Sequence, residues 1–169
     1  MTAILAIDPG LSGALCVFDS NVNPWWLTGI DMPTSTTKGK TRIDLFEVDH
    51  VLGIYAADGV RDAVIEQVGS MPRQGLSSAF NFGFTVGALH GLLVAHDFTV
   101  HTVTPTTWKF GVGLNAVPGQ DQKARKNASR AKAIELFPQY AGLFARVKDD
   151  GRAEAALMAW WFVHKRKQS

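Results

Sequence analysis

Carboxylates stand at the ends of apolar segments in three separate parts of the sequence. Asp8 follows the apolar run 3–7 and precedes a Pro-Gly turn, and Glu66 lies near the end of a second short apolar run. A third acidic group opens the last helical pattern and comprises Asp149, Asp150 and Glu154. Oxygen ligands of this kind suit Mg²⁺ or Mn²⁺ rather than zinc. The sequence therefore predicts a divalent-metal site assembled from three distant segments.

Each of these acids also has a plainer explanation when it is taken alone. An Asp before Pro-Gly is common in turns, because its side chain accepts hydrogen bonds from backbone amides two residues further on. Acids at a helix N-terminus complement the helix dipole. The metal-site hypothesis depends on all three segments meeting at one place.

The elements between the acids predict such a meeting. The apolar runs 3–7 and 14–18 flank a glycine-bracketed turn and predict a β-hairpin, and 25–30 predicts a third, antiparallel strand. Residues 43–57 carry apolar side chains at helical spacing, and 60–68 form another strand pattern. A helix between two strands is the crossover that a parallel pair requires, so Asp8 and Glu66 are expected on neighbouring strands.

The rest of the chain continues the same alternation. A long helix is predicted over 77–96, a strand over 98–103, a short helix capped by Thr104, a basic amphipathic helix over 121–137 and a last helix over about 150–165. Residues 34–42 are polar, contain glycine and predict an exposed loop. The three basic residues of this loop are candidates for DNA contact, although a solvated loop without a partner explains them as well.

Length and composition predict one soluble domain. The chain has 169 residues, of which 46% are hydrophobic, enough for a single core. No signal-peptide pattern opens the sequence, and no uninterrupted apolar segment approaches the roughly 20 residues of a membrane span, so we expect a cytoplasmic protein. The single Cys16 excludes a disulfide scaffold and is expected in the core. A net charge of +2 is too small to indicate nucleic-acid binding by itself, but the basic residues cluster along 122–132.

Three motifs, in the same order, resemble the RuvC family of Holliday-junction resolvases. They are Ile7-Asp8-Pro9-Gly10 with Gly13, the strand end Ile65-Glu66-Gln67, and the segment Lys148-Asp149-Asp150-Gly151-Arg152-Ala153-Glu154. The match favours the phage-type branch and spans nearly the whole chain. The resemblance implies an RNase H-like α/β fold over residues 1–169: a mixed five-stranded sheet, with three antiparallel strands followed by parallel ones, and helices on both faces.

The resemblance also implies a function: a metal-dependent endonuclease that resolves Holliday junctions and other branched DNA by paired nicks, acting as a homodimer through the helix 77–96 in a bacterial or phage-infected cell. Hydrolysis of a phosphodiester suits two Mg²⁺ or Mn²⁺ ions roughly 4 Å apart. We assign Asp8 as the bridging ligand, Glu66 to one ion and the last acidic group to the other. On a helix Asp150 and Glu154 lie within about 40° of each other, yet Asp149 at the helix start stays an alternative.

Basic side chains supply the expected DNA contacts, which add salt-dependent affinity without sequence preference. The candidates are Arg73, Lys109, Lys123, Arg125, Lys126, Arg130 and Arg152. Arg152 either positions the scissile phosphate or pairs with neighbouring acids. In the bacterial branch an aromatic residue soon after the strand acid stacks on junction bases. Here that residue is missing or is replaced by Met71, Arg73 or Phe80.

Three other functions compete with this hypothesis. A nuclease of the same fold that acts on RNA or flaps would need a 2′-hydroxyl or would cut as a monomer. A junction-binding protein without catalysis has no use for the full set of acids. An actin-like ATPase or kinase fragment shares the turn after Asp8, but it needs a second domain for which 169 residues leave no room.

Overall fold

A computed structural model describes residues 3–22, 24–67, 75–115, 119 and 121–166. Within them the elements are, in chain order, β1 (Ala3–Asp8), β2 (Ala14–Asp19), β3 (Trp26–Asp31), β4 (Thr34–Thr37), β5 (Lys40–Ile43), α1 (Leu45–Ala57), β6 (Asp62–Glu66), α2 (Leu76–Ala95), β7 (Thr99–Val103), α3 (Pro105–Gly111), α4 (Gln122–Leu136) and α5 (Asp150–Arg166). Two 3-10 helices, Pro138–Phe144 and Val147–Asp149, connect α4 to α5.

Five strands form the central sheet, in the spatial order β3-β2-β1-β6-β7. β1, β2 and β3 pair antiparallel, and β6 and β7 continue the sheet parallel to β1. α1 and α2 provide the crossovers before β6 and β7, as parallel pairing demands. The predicted mixed five-stranded sheet is confirmed.

Helices cover both faces of this sheet, which is why β1 is apolar without alternation. Leu5 and Ile7 point into a core shared with α1 and α2. Ile4 and Ala6 point to the opposite face, where α3, α4, α5 and the first 3-10 helix supply residues such as Trp108, Ala133, Leu157 and Phe144. Cys16 is buried in this second core, as expected.

The helix starts follow local capping signals. Asp44, Thr104 and Asp121 accept hydrogen bonds from the backbone N–H three residues on, and they set the first residues of α1, α3 and α4. The predicted helices are confirmed, with ends that differ by one or two residues. The predicted strand 60–68 is shorter, since β6 begins at Asp62 and ends at Glu66.

Residues 34–42 form a β-hairpin, so the prediction of a loop was wrong. β4 and β5 pair antiparallel with Thr37 opposite Lys40. Lys38 and Gly39 form the two-residue turn, with φ of 52° and 74°, the geometry that twists a tight hairpin correctly. The threonines on both strands favour extended backbone. The polar composition of residues 34–42 is the reason that a loop was predicted instead of this strand pair.

α2 buries only the C-terminal part of its apolar surface. Leu89 and Leu93 enter the core, whereas Leu76, Phe80 and Phe84 are 91%, 74% and 66% exposed. Of the helices in the described part of the chain, α2 is the one with the length and hydropathy of a membrane span, although polar residues such as Asn81, Thr85 and His90 interrupt its apolar sequence. One helix of this kind is weak evidence of a membrane.

Candidate active site

Asp8 and Glu66 lie side by side at the carboxyl edge of the sheet. Ile7 and Ile65 are partners in the parallel β1–β6 ladder, and the two acids follow them on adjacent strands. The turn after Asp8 is ordered by a bond from the Gly13 amide to the Gly10 carbonyl, at 2.9 Å. Both acids therefore stand at the transition from buried strand to surface, as the sequence predicted.

α5 brings two more acids to this edge because its first turn packs directly on the β1–β2 turn. A side chain on Gly151 would collide with the backbone of Ser12 and Gly13. This glycine contact sets the distance of closest approach between helix and hairpin. Asp150 and Glu154 flank it, one turn apart on α5.

The charges of three acids interact across the site. Burial, followed by the charges of Glu66 and Glu154, raises the pKa of Asp8 from 3.8 to about 7. Burial also raises the pKa of Glu66, while a hydrogen bond from Trp108 and the charge of Lys109 oppose this rise. A set of carboxylates that raise one another's pKa needs positive charge to ionise together.

Two lysines provide positive charge at the site. Lys109 Nζ lies 2.9 Å and 3.0 Å from the two carboxylate oxygens of Glu154. Lys126 Nζ lies 2.6 Å from Asp150 Oδ2. The hydrogen bond to Asp150 raises the pKa of Lys126, and the charges of Glu154 and Asp8 add to this effect. Both ammonium groups are therefore within electrostatic reach of several of the acids.

Two side chains that sequence reasoning missed hold the acids in place. Trp108 is buried and donates its indole N–H to Glu66 Oε1 at 2.8 Å. Ser129, also buried, donates its hydroxyl to Glu154 Oε1 at 2.9 Å. The signal for Trp108 was available, because a buried Trp usually finds an acceptor for its N–H and this one adjoins Lys109. For Ser129, which lies in a basic helix, no feature of the sequence indicated a role in the site.

Asp149 pairs with Arg146 rather than with a lysine of the site. Arg146 Nη2 lies 2.7 Å from Asp149 Oδ1, and the Arg146 backbone N–H donates to Oδ2 at 2.8 Å. Burial alone would raise the pKa of Asp149, but these hydrogen bonds and the charge of Arg146 lower it. Asp149 closes a capping box in the 3-10 turn before α5. Of the two alternatives left open by the sequence, Asp150 is the one that joins the lysine-linked acids.

The donor set fits a hard divalent cation. Asp8, Glu66, Asp150 and Glu154 offer carboxylate oxygens, the ligands that Mg²⁺ and Mn²⁺ favour. Among the described residues, no three His, Cys, Asp or Glu side chains stand close enough together to form a finished metal cage. In this structure Glu154 and Asp150 instead form ion pairs with Lys109 and Lys126.

The other predicted DNA contacts divide into two groups. Lys123 and Arg125 are exposed on α4. Arg130 instead binds the carbonyls of Ala145 and Arg146, at 3.4 Å and 3.3 Å.

Arg152 donates to Asp31 Oδ1 at 2.6 Å, so it pairs with an acid that is distant in sequence rather than with the neighbouring acids that the sequence suggested. Of the candidates to replace the stacking aromatic, Phe80 is exposed on α2. Arg73 and Met71 lie outside the described residues.

The sheet order, the acids at its carboxyl edge and the helix acids that join them define an RNase H-like fold. More particularly, the chain has the fold of RuvC. It resembles a structure described as Thermus thermophilus RuvC in complex with Holliday junction substrate, with a TM-score of 0.59, 13% identity and coverage of 99% of this chain and 96% of the other. A second Thermus thermophilus RuvC structure gives a TM-score of 0.53 at 12% identity, with 97% and 96% covered.

One curated relative is similar in sequence. The chloroplastic Holliday junction resolvase MOC1 of Chlamydomonas reinhardtii is 34% identical over 91 residues, which are 54% of this chain. The match spans only 10% of that relative's length. No protein-family model matches the chain.

Proposed function

We propose that this chain is a RuvC-type endonuclease that resolves Holliday junctions and related branched DNA. One observation carries the proposal: Asp8 and Glu66 end adjacent strands at the carboxyl edge of an RNase H-like sheet, and α5 brings Glu154 and Asp150, each paired with a lysine, to this edge. The junction substrate is supported by the names of the MOC1 relative and of the RuvC complex. Residues 1–169 would form a single nuclease domain.

The proposed chemistry is hydrolysis of a phosphodiester with two Mg²⁺ or Mn²⁺ ions. Bound ions of this kind lower the pKa of a water nucleophile and stabilise charge on the attacking and leaving oxygens. Asp8 would serve both ions, and the charges of Glu66 and Glu154, which both raise its pKa, support this assignment. Glu66 would bind one ion, while Asp150 and Glu154 would bind the other. Trp108 and Ser129 orient two of these carboxylates.

The lysines would exchange partners when substrate binds. Lys109 and Lys126 neutralise Glu154 and Asp150 in this structure. Once divalent cations take over that neutralisation, the two ammonium groups become available for phosphate oxygens of the cleaved strand. Lys123 and Arg125, exposed on the same helix as Lys126, would extend the contact along the DNA backbone.

A twofold dimer would place two such sites on opposed strands, and α2 is our candidate for its interface. Phe80 and Phe84 are exposed on the half of the helix that the sheet leaves uncovered. Exposed aromatic side chains on one helix mark an association surface. The expected setting is the cytoplasm of a bacterial or phage-infected cell, in recombination, repair or phage DNA processing.

Cleavage of a labelled, immobile four-way junction tests this function. Wild-type protein with Mg²⁺ is expected to make symmetric nicks, and Asp8→Asn is expected to bind the junction without cutting it. Asp97→Asn is the matched control, because Asp97 is an exposed carboxylate at positive φ, a backbone conformation that Asn tolerates.

Other outcomes point to other functions. Binding without cleavage under any divalent metal would indicate a junction-binding protein. Cleavage that requires a 2′-hydroxyl would indicate an RNA nuclease.

A further inference from the structure

The hairpin β4–β5 concentrates positive charge and hydroxyl groups on one face. Cross-strand partners share a face, and the register pairs Ser35 with Arg42 and Thr37 with Lys40. These four side chains and Lys38 at the turn line a common depression of about 390 Å³. Thr36 and Thr41 occupy the opposite face, where their hydroxyls hydrogen-bond at 3.0 Å.

The positive charge on this face is not used within the part of the chain that the structure describes. The side chains of Lys38, Lys40 and Arg42 are exposed, and none of them forms a salt bridge or hydrogen bond with another described residue. Residues 34–43 contain no acid. Apart from Ile43 at its base, the hairpin contributes nothing to either core. Neither packing nor internal ion pairing accounts for three cations here.

The hairpin follows β3 at the same edge of the sheet as the candidate active site. Asp31, the last residue of β3, pairs with Ala14, and Ala14 pairs with Asp8. The Met32 N–H donates to the Gly13 carbonyl at 2.9 Å, and the Asp44 N–H closes the base on the Pro33 carbonyl at 2.9 Å. The base of the hairpin is therefore anchored to the turn that follows Asp8.

We propose that β4–β5 is a DNA-binding arm that grips the sugar-phosphate backbone of the duplex next to the cleavage site. This inference rests on the proposed function and extends it by naming a contact surface. Lys38, Lys40 and Arg42 bind phosphate oxygens, and the hydroxyls of Ser35 and Thr37 donate to the same backbone. A two-stranded ribbon of four residues per strand reaches about 13 Å and fits a duplex groove.

The test is equilibrium binding of a fluorescent four-way junction, without divalent metal, between 50 and 200 mM salt. The test variant combines Lys38→Asn, Lys40→Thr and Arg42→Thr. Asn tolerates the positive φ at 38, and Thr keeps the strand propensity at 40 and 42. We expect the slope of log affinity against log salt to fall by about two to three, since each phosphate contact contributes about 0.9.

The control variant, Thr36→Val with Thr41→Val, changes the opposite face, retains every charge and is expected to keep the wild-type slope. If the triple variant loses its fold by circular dichroism, Arg42→Thr alone decides, with an expected fall of about one. An unchanged slope in a folded variant overturns the arm while leaving the nuclease intact. A wild-type chain that neither binds nor cuts junctions overturns the proposed function itself.

Discussion

The indole N–H of Trp108 donates to Glu66 Oε1 at 2.8 Å, and this bond links the short helix α3 to the acid at the end of β6. It occupies one lone pair of Glu66 and leaves the other oxygen available for a cation. Partners of this kind fix the orientation of metal ligands and commonly change metal affinity 10- to 100-fold. Trp108 is thus a positioning residue for Glu66.

Trp108→Phe keeps the ring and removes the donor. We expect about tenfold weaker binding of Mn²⁺ in titration calorimetry, because Glu66 loses both its orientation and a bond that lowers its pKa. Trp160→Phe is the matched control, since the buried indole N–H of Trp160 has no partner among the described residues. Equal loss in both variants would refute the positioning role.

Asp8 makes the stability of the metal-free protein depend on pH. Its pKa is about 7 in the folded state and near 4 in the unfolded chain, so the folded state binds the extra proton between these values. The free energy of unfolding should therefore fall as pH rises from about 4 to 7, by about 1 to 3 kcal/mol. Urea unfolding at pH 5, 6, 7 and 8 measures it.

Asp8→Asn should flatten this pH profile and stabilise the metal-free protein at pH 8. Added Mg²⁺ should have the opposite pH dependence, because only the ionised carboxylate binds it. A wild-type profile that is flat between pH 5 and 8 would contradict the raised pKa.

Asp149 and Asp150 are neighbours with different expected roles. Asp149→Ala removes the capping box with Arg146 and should lower the free energy of unfolding by about 1 to 2 kcal/mol, with Mn²⁺ affinity retained. Asp150→Ala should weaken Mn²⁺ binding with little loss of stability, because it removes the carboxylate paired with Lys126. Calorimetry and urea unfolding on both variants measure the difference, and an exchange of these two results would assign the ligand to Asp149.

Gly151 is expected to tolerate no side chain. In Gly151→Ala the new methyl group collides with the backbone of Ser12 and Gly13, and overpacking of this kind costs about 1 to 3 kcal/mol or more. Thermal unfolding measures the loss. Gly142→Ala, where nothing lies within 4 Å of an added methyl group, should be close to wild type. Similar melting temperatures for both variants would disprove the close contact.

The exposed half of α2 should control the oligomeric state. Phe80→Glu with Phe84→Glu places two charges on its apolar surface and should convert a dimer to a monomer in analytical ultracentrifugation. Phe46→Glu, an equally exposed aromatic on α1, serves as the control. A monomeric wild type would exclude this interface.

Local signals were enough to predict the five strands of the central sheet, the capped helices and the acids at their ends. Asp8 and Glu66 could be placed together because apolar runs, turns and one crossover helix determine which strands are neighbours. The contacts of Lys126 and Ser129 could not be predicted, since they depend on how α4 packs against α5. The β4–β5 hairpin was missed because its composition resembles a loop, although Lys38 and Gly39 sit at a hairpin turn.

The contact between Gly151 and the β1–β2 turn also determines when the site can exist during synthesis. A ribosome makes Asp8 before Glu66, but Asp150 and Glu154 reach them only after α5 has emerged and docked. A nascent or truncated chain that ends before α5 lacks half of the acids. In the proposed nuclease, cutting of DNA would therefore begin only after the chain has been translated past Glu154.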